Sequence, residues 1–394
     1  MPRPRNMPLF ILVLLIGLPR AAAGGWAGLD VLTPPRLPTG ASIRDVQLAA
    51  DPTGPVTLAL ITDAGAARSG RGTFMARTVQ AWQWNAQEWT PMGGVLNYDQ
   101  PRPAANLNLT LDAAGTPVLA WNENYGDNDV VVFRAWNGTG WTNWKDRYLG
   151  ISSPQAAKMR AVGAQAGAPV LLWGENARQG TGTALTLRRW QDGSWSRSPV
   201  LNSTRGDVRQ PTLALGAAQQ VTTAWVQGPI DSGQVVVQRD IGGTWEILGS
   251  PVSRHAGRYV TAPRLALGPA NQVTLAWLED QSGQDTLFAA SWTGSRWVFL
   301  GGAVSTAFAS SPTLTLDRAG RPVLAWVEDH AGTGQIHLAR WTGQSWTQTG
   351  PLNLNPNRDA RSPAVVVDRA GQLIVAWRED ISGTYRLQLR RATN

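Results

Sequence analysis

A tryptophan returns along this chain at a nearly constant interval: Trp121, Trp173, Trp225, Trp277, Trp326 and Trp377, with gaps of 52, 52, 52, 49 and 51 residues. Each closes a recurring phrase, seen as QPTLALGAAQQVTTAWVQG (210–228), APRLALGPANQVTLAWLED (262–280), SPTLTLDRAGRPVLAWVED (311–329) and SPAVVVDRAGQLIVAWRED (362–380). A seventh copy, PVTLALITD at 55–63, has Leu60 in the tryptophan slot. Self-similarity at this period means equivalent units that cannot bury their apolar faces alone and must stack on one another.

Each unit reads as four short strands. In the sixth, an alternating run ends near Asp317, an Asp-x-x-Gly turn follows, a second run passes through Trp326, and then come QIHLARW (335–341), a Thr-Gly turn and SWTQTG (345–350). Period-two alternation broken by glycine-containing turns is the signature of an antiparallel meander, and four strands in about 50 residues make one propeller blade. The expectation is an all-β, seven-bladed propeller. A second tryptophan pair spaced by five marks the outer hairpin: Trp84/Trp89, Trp136/Trp141, Trp190/Trp195, Trp292/Trp297 and Trp341/Trp346. The last unit ends at Asn394 without its fourth strand, and GGWAGLDVLTP (24–34) matches that strand, with Trp26 in the slot of Trp346. The N-terminal segment is therefore expected to complete the last blade and close the ring, which removes an open sheet edge.

Residues 1–23 carry Arg3 and Arg5, an apolar run from Met7 to Leu18 and Ala21-Ala22-Ala23, the pattern of a signal peptide cleaved after Ala23. The expectation is a secreted chain, extracellular or periplasmic, with one domain over 24–394 and no membrane attachment after cleavage. Removal of Arg3, Arg5 and Arg20 takes the formal charge from +8 to +5, and the remaining arginines are dispersed rather than blocked, so no nucleic-acid partner is expected. The absence of cysteine excludes disulfides, thiolate metal sites and a cysteine nucleophile. With three histidines in all, His255, His330 and His337, no metal centre and no cofactor are expected, and the histidines read as surface or packing residues.

The order of strand, turn, strand, an aromatic shortly before a tryptophan and a return loop with Arg and Pro resembles kelch-type propeller repeats across essentially all of 24–394. AWxE stands where kelch blades carry Gly-Gly, and the phrase AGRPVLAW resembles secreted bacterial propellers; the resemblance implies a fold and no particular activity. The sialidase Asp-box is not matched, because in 317–326 glycine lies three residues after Asp317 rather than two.

Two residues after the anchor tryptophans stand Glu123, Glu175, Glu279, Glu328 and Glu379, with Gln227 in the fourth unit and Thr62 in the first. A carboxylate repeated in most units is expected to serve the repeat, capping a strand end against an arginine or a backbone amide of the adjacent blade, whereas catalysis needs an asymmetric set. Departures from the repeat are the better candidates for a site. The first unit has about nine extra residues between its second and third strands, read as a loop over 63–73 with Arg68 and Arg71. The second carries Tyr125, Asp127 and Asp129 after Glu123. Arg68, Arg71, Glu123, Tyr125, Asp127 and Asp129 are thus the expected binding residues; the two aspartates lack the further oxygen ligands calcium requires. The functional expectation is a monomeric, non-catalytic binding or scaffold module for a carbohydrate, peptide or envelope component. The alternatives are a propeller hydrolase or lyase acting on polysaccharide, and a purely structural extracellular protein.

Overall fold

The computed structural model describes residues 28–392 apart from 51–53, 70–71, 99–101, 113, 125–128, 144–159, 166–167, 177–182, 192–193, 197–200, 203–206, 217–219 and 250–251. It is an all-β ring of seven four-stranded antiparallel sheets. Six blades follow chain order, and the seventh is completed by Leu29–Val31, which pairs with the last strand, Thr384–Ala392, in the register Leu29↔Ala392, Asp30↔Arg391, Val31↔Arg390. The N-terminal segment closes the ring as expected, but in a register three residues from the expected one: Leu29, not Trp26, stands opposite Ala392, the place that Trp346 takes opposite Trp341 in blade six; Trp26 lies outside the described residues. Among the described residues no helix is long and apolar enough to cross a membrane.

The tryptophan periodicity builds the core. All six anchor tryptophans are 1% exposed or less. Each stands mid-way along the second strand of its blade, within clusters that mix residues of adjacent blades, such as Trp277 with Ala224, Val226 and Val237. Leu60 fills the equivalent slot in blade one and is equally buried. Tight packing of blade faces supplies most of the burial that a single sheet could not.

The outer tryptophan pairs are cross-strand neighbours in register, with ring centroids 5.3–5.5 Å apart. The fourth-strand member also reaches the preceding blade: the indole N–H groups of Trp141, Trp297 and Trp346 donate to the carbonyls of Met92, Leu248 and Leu300 at 2.6, 2.7 and 2.6 Å. The glycine after each acceptor has a positive φ, 82° at Gly93, 71° at Gly249 and 75° at Gly301, and at Gly249 a Cβ would also lie 2.9 Å from the Trp292 ring. The Asp-x-x-Gly turns are Asx turns: Asp317 Oδ1 accepts from the amides of Ala319 and Arg321 at 2.9 Å each, and Gly320 takes φ 73°.

The nine-residue excess of the first unit is not a loop. The second strand runs on through Val56–Ser69 and the third begins at Gly72, paired to the end as Ala66↔Met75, Ala67↔Phe74, Arg68↔Thr73 and Ser69↔Gly72, with an irregularity at Asp63/Gly65. Continued antiparallel pairing satisfies the backbone N–H and C=O groups that an irregular loop would leave to solvent.

Candidate functional site

The repeated glutamates lie two residues beyond the anchor tryptophans and so point to the same sheet face. Glu123, Glu279, Glu328 and Glu379 are fully buried. Each accepts the indole N–H of its own tryptophan, at 2.8, 3.0, 3.1 and 3.1 Å respectively. Each also accepts backbone amides from the segment arriving from the preceding blade: Tyr98 for Glu123, Arg254 and His255 for Glu279, Thr306 for Glu328, Leu354 and Asn355 for Glu379. Gln227 makes the same indole contact at 2.9 Å in blade four. A buried carboxylate is costly unless several donors meet it, and these donors tie each blade to the chain entering it. Among the described residues no guanidinium lies within ion-pair distance of Glu279, Glu328 or Glu379. The Glu175 side chain lies outside the described residues.

Of the expected binding residues, Arg68 is exposed near the tip of the extended hairpin, whereas Glu123 is buried between blades. Arg71, Tyr125 and Asp127 lie outside the described residues, as does the side chain of Asp129, whose backbone opens the third strand of blade two.

One asymmetry among the described residues lies on the ring axis. The first strands of the blades line a cavity of about 490 Å³. Each described register of blades two, four, five, six and seven carries a bulge here, with a left-handed residue at Asn106, Gln210, Ala262, Ser311 or Ser362, φ 48–56°. The bulge turns the following side chains toward the axis. One residue per blade occupies the same column: Gln47, Asn108, Ala161, Thr212, Arg264, Thr313 and Ala364. Six are small or neutral, and blade five alone supplies a charge. The Arg264 guanidinium donates to the carbonyl of Pro263 at 2.9 Å and has no acidic partner among the described residues. Burial holds its pKa below the usual arginine value.

Across the ring stands Asp45 of blade one. Its Oδ1 accepts from the Val46 amide at 2.9 Å and the Gln47 side chain at 3.4 Å, and its Oδ2 from the Leu107 amide of blade two at 3.2 Å. Burial outweighs these donors and raises its pKa from 3.8 to about 6. A carboxyl raised on folding binds its proton more tightly in the folded state. Its contribution is therefore full below about pH 4 and is lost as pH rises through about 6. Asp45→Asn keeps a neutral side chain at every pH. Wild type is accordingly expected to lose about 2 kcal/mol relative to this variant between about pH 4 and about pH 8, measured by urea unfolding at both; a constant difference between the two proteins would contradict the raised carboxyl.

Sequence reasoning passed over Arg264 and Asp45 because it looked for broken symmetry in loop lengths. The signal was half present in the first strands: aligned on the anchor position, the column reads Gln47, Asn108, Arg160, Thr212, Arg264, Thr313 and Ala364, and only the pairing of Ala161 with Leu172 moves Arg160 out of it and leaves Arg264 as its charged member.

No protein-family model matches the chain, and no curated protein matches it. Among solved structures, an ulvan lyase bound to GlcA(1-4)Rha3S, from a polysaccharide lyase family, shares 10% identity over 88% of this chain and 93% of its own, with a TM-score of 0.55. The sialidase of Trypanosoma rangeli shares 13% over 89% of this chain and 54% of its own, with a TM-score of 0.48. An alpha-L-arabinanase of Penicillium chrysogenum complexed with arabinobiose shares 14% over 75% and 94%, with a TM-score of 0.45. The class is that of the seven-bladed propellers, and likeness at such identity extends to the fold alone.

Proposed function

We propose that this chain is an exported propeller, freed of residues 1–23, that holds an anionic carbohydrate at the mouth of its axial channel. The observation that carries this reading is Arg264, the one charged member of the axial column, held in a confined space with no acidic partner among the described residues. An unpaired guanidinium in a low-dielectric site is a strong, geometrically selective donor to a carboxylate or sulfate. The amide and hydroxyl groups of Gln47, Asn108, Thr212 and Thr313 around it suit sugar hydroxyls. The fold similarity to a lyase bound to an acidic saccharide agrees with this ligand class.

Binding without turnover is the preferred reading, because both oxygens of Asp45 already accept backbone amides. A lyase or hydrolase is the second reading, favoured by one observation: a carboxyl near pKa 6 on the channel is tuned for proton transfer near neutrality. The test is a panel of acidic and neutral polysaccharides applied to the mature chain, scored for retention and for release of new chain ends. Retention of acidic members only, weakened at least tenfold (about 1.4 kcal/mol) in Arg264→Ala with unchanged melting temperature, is the expected result. Equal retention by Arg264→Ala would remove the channel from the account, and release of chain ends abolished by Asp45→Asn would establish the second reading in place of the first.

A further inference from the structure

Blade six breaks the symmetry of the ring in its side-chain chemistry. Its second strand, Pro322–His330, and third strand, Thr333–Trp341, are joined by the two-residue turn Ala331-Gly332, both residues with positive φ (56° and 85°). Such a turn matches the twist of the strands and fixes the register. Trp326, Glu328 and His330 alternate onto one face of the second strand, and the register pairs Trp326 with His337, which brings that histidine onto the same face. The two imidazoles stack with centroids 5.8 Å apart. Their Nε2 atoms lie 3.5 Å (His330) and 3.7 Å (His337) from Glu328 Oε2, and one ligand atom from each of the three residues falls within 4.8 Å of the others.

We propose that Glu328, His330 and His337 form a binding site for a divalent transition-metal ion, zinc by its donor set. Two imidazoles and one carboxylate are a recurrent zinc ligand set, with donors about 2.0–2.2 Å from the ion, so tetrahedral neighbours sit about 3.3–3.5 Å apart. The observed separations are within a few tenths of an ångström of that for both histidines. They are too long for charge-assisted hydrogen bonds, which close to about 2.7–2.9 Å, so the three groups face one another without bonding.

Two further observations support the assignment. The Nε2 atom of His337 is buried and has no hydrogen-bond partner, a costly state for an imidazole nitrogen unless something else meets it. The carboxylate is also pre-oriented as a ligand: its Oε1 is taken by the Trp326 indole at 3.1 Å and the Thr306 amide at 2.8 Å, and Thr306 Oγ1 supports Oε2 at 3.1 Å. Partners of this kind fix the orientation of metal ligands. Glu328 and His337 wall the site on the protein side, while His330 is 45% exposed and leaves a coordination position open to solvent.

The other blades share the glutamate but not the site. Opposite their anchor tryptophans stand Val132, Thr186, Val236, Phe288 and Gln388, and the slot of His330 holds Pro229 in blade four, Gln281 in blade five and Ile381 in blade seven. A residue type that serves the repeat would recur; these two histidines occur once, together. The expectation of no metal centre rested on counting histidines, and pairing register places two of the three on one carboxylate.

The test uses the mature chain stripped with a chelator and titrated with zinc chloride by calorimetry, then with cobalt chloride by visible absorption. The expected result is one saturable zinc site per chain, tetrahedral cobalt absorption, and at least tenfold weaker binding in both His330→Ala and His337→Ala, with His255→Ala unchanged. His330 is half-exposed, so its replacement tests the ligand without disturbing the core. Absence of saturable zinc binding, or binding unaltered by His330→Ala, overturns the proposal. The result does not depend on the polysaccharide panel, because no residue is shared with the axial column.

Discussion

Trp277→Ala is expected to lower the stability of the folded chain by about 3–5 kcal/mol, the usual cost of deleting a fully buried aromatic. The side chain is 0% exposed and packs against the rings of Phe288 and Phe299 at centroid distances of 6.0 and 5.8 Å. Its loss opens a cavity between blades four and five and takes one donor from the buried Glu279. The two effects separate in Trp277→Phe, which keeps most of the volume but not the indole N–H. That variant is expected to cost about 1–3 kcal/mol, the penalty of a buried acceptor short of a donor. Urea unfolding of both proteins measures the difference. An alanine variant within about 1 kcal/mol of wild type would mean that the anchor tryptophans do not hold the blades together.

Removing everything before Pro35 is expected to have a comparable or larger effect. The deletion strips Leu29–Val31 from the last strand, with the amide of Leu32 that donates to the Leu389 carbonyl at 3.0 Å. Leu32, 9% exposed, packs with Val46, Val56 and Leu387, so it belongs to the seam between the first and last blades. Several ladder hydrogen bonds and one or two buried leucines amount to about 3–6 kcal/mol, and the bared edge of Thr384–Ala392 invites pairing between chains. The expected result is a lower melting temperature together with self-association, reversed in part by a peptide spanning 24–34 that refills the edge. A truncated chain that melts like the parent and stays monodisperse would show that the ring closes without this strand.

The blades, their number and the closing strand were legible from particular residues. Trp121 to Trp377 set the spacing, the Asp317-x-x-Gly320 turns mark the strand ends, and the missing fourth strand of the last unit pointed to the N-terminal segment, although pairing puts Leu29 rather than Trp26 in the place of Trp346. The role of the repeated glutamates was half visible: the i, i+2 relation to tryptophan is in the sequence, but the acceptance of amides from Thr306 or Leu354 depends on how one blade hands the chain to the next. The extra residues of the first unit looked like a loop because length alone does not distinguish a loop from a longer hairpin. Only the pairing of Ser69 with Gly72 does so.

By itself, then, the sequence determined what is encoded at short range: alternation gives strands, left-handed glycines and Asx turns give hairpins, and one large apolar residue per unit makes stacking obligatory. The tertiary structure alone decided which side chains meet. Asp45 and Arg264, on blades one and five, line one channel because the curvature of the ring turns seven first strands toward one axis. His337 stands beside Glu328 because the register of one hairpin places it opposite Trp326. Convergence of this kind depends on distances between backbones that no local pattern specifies, and a slip of one residue in pairing would send each of these side chains to the opposite face.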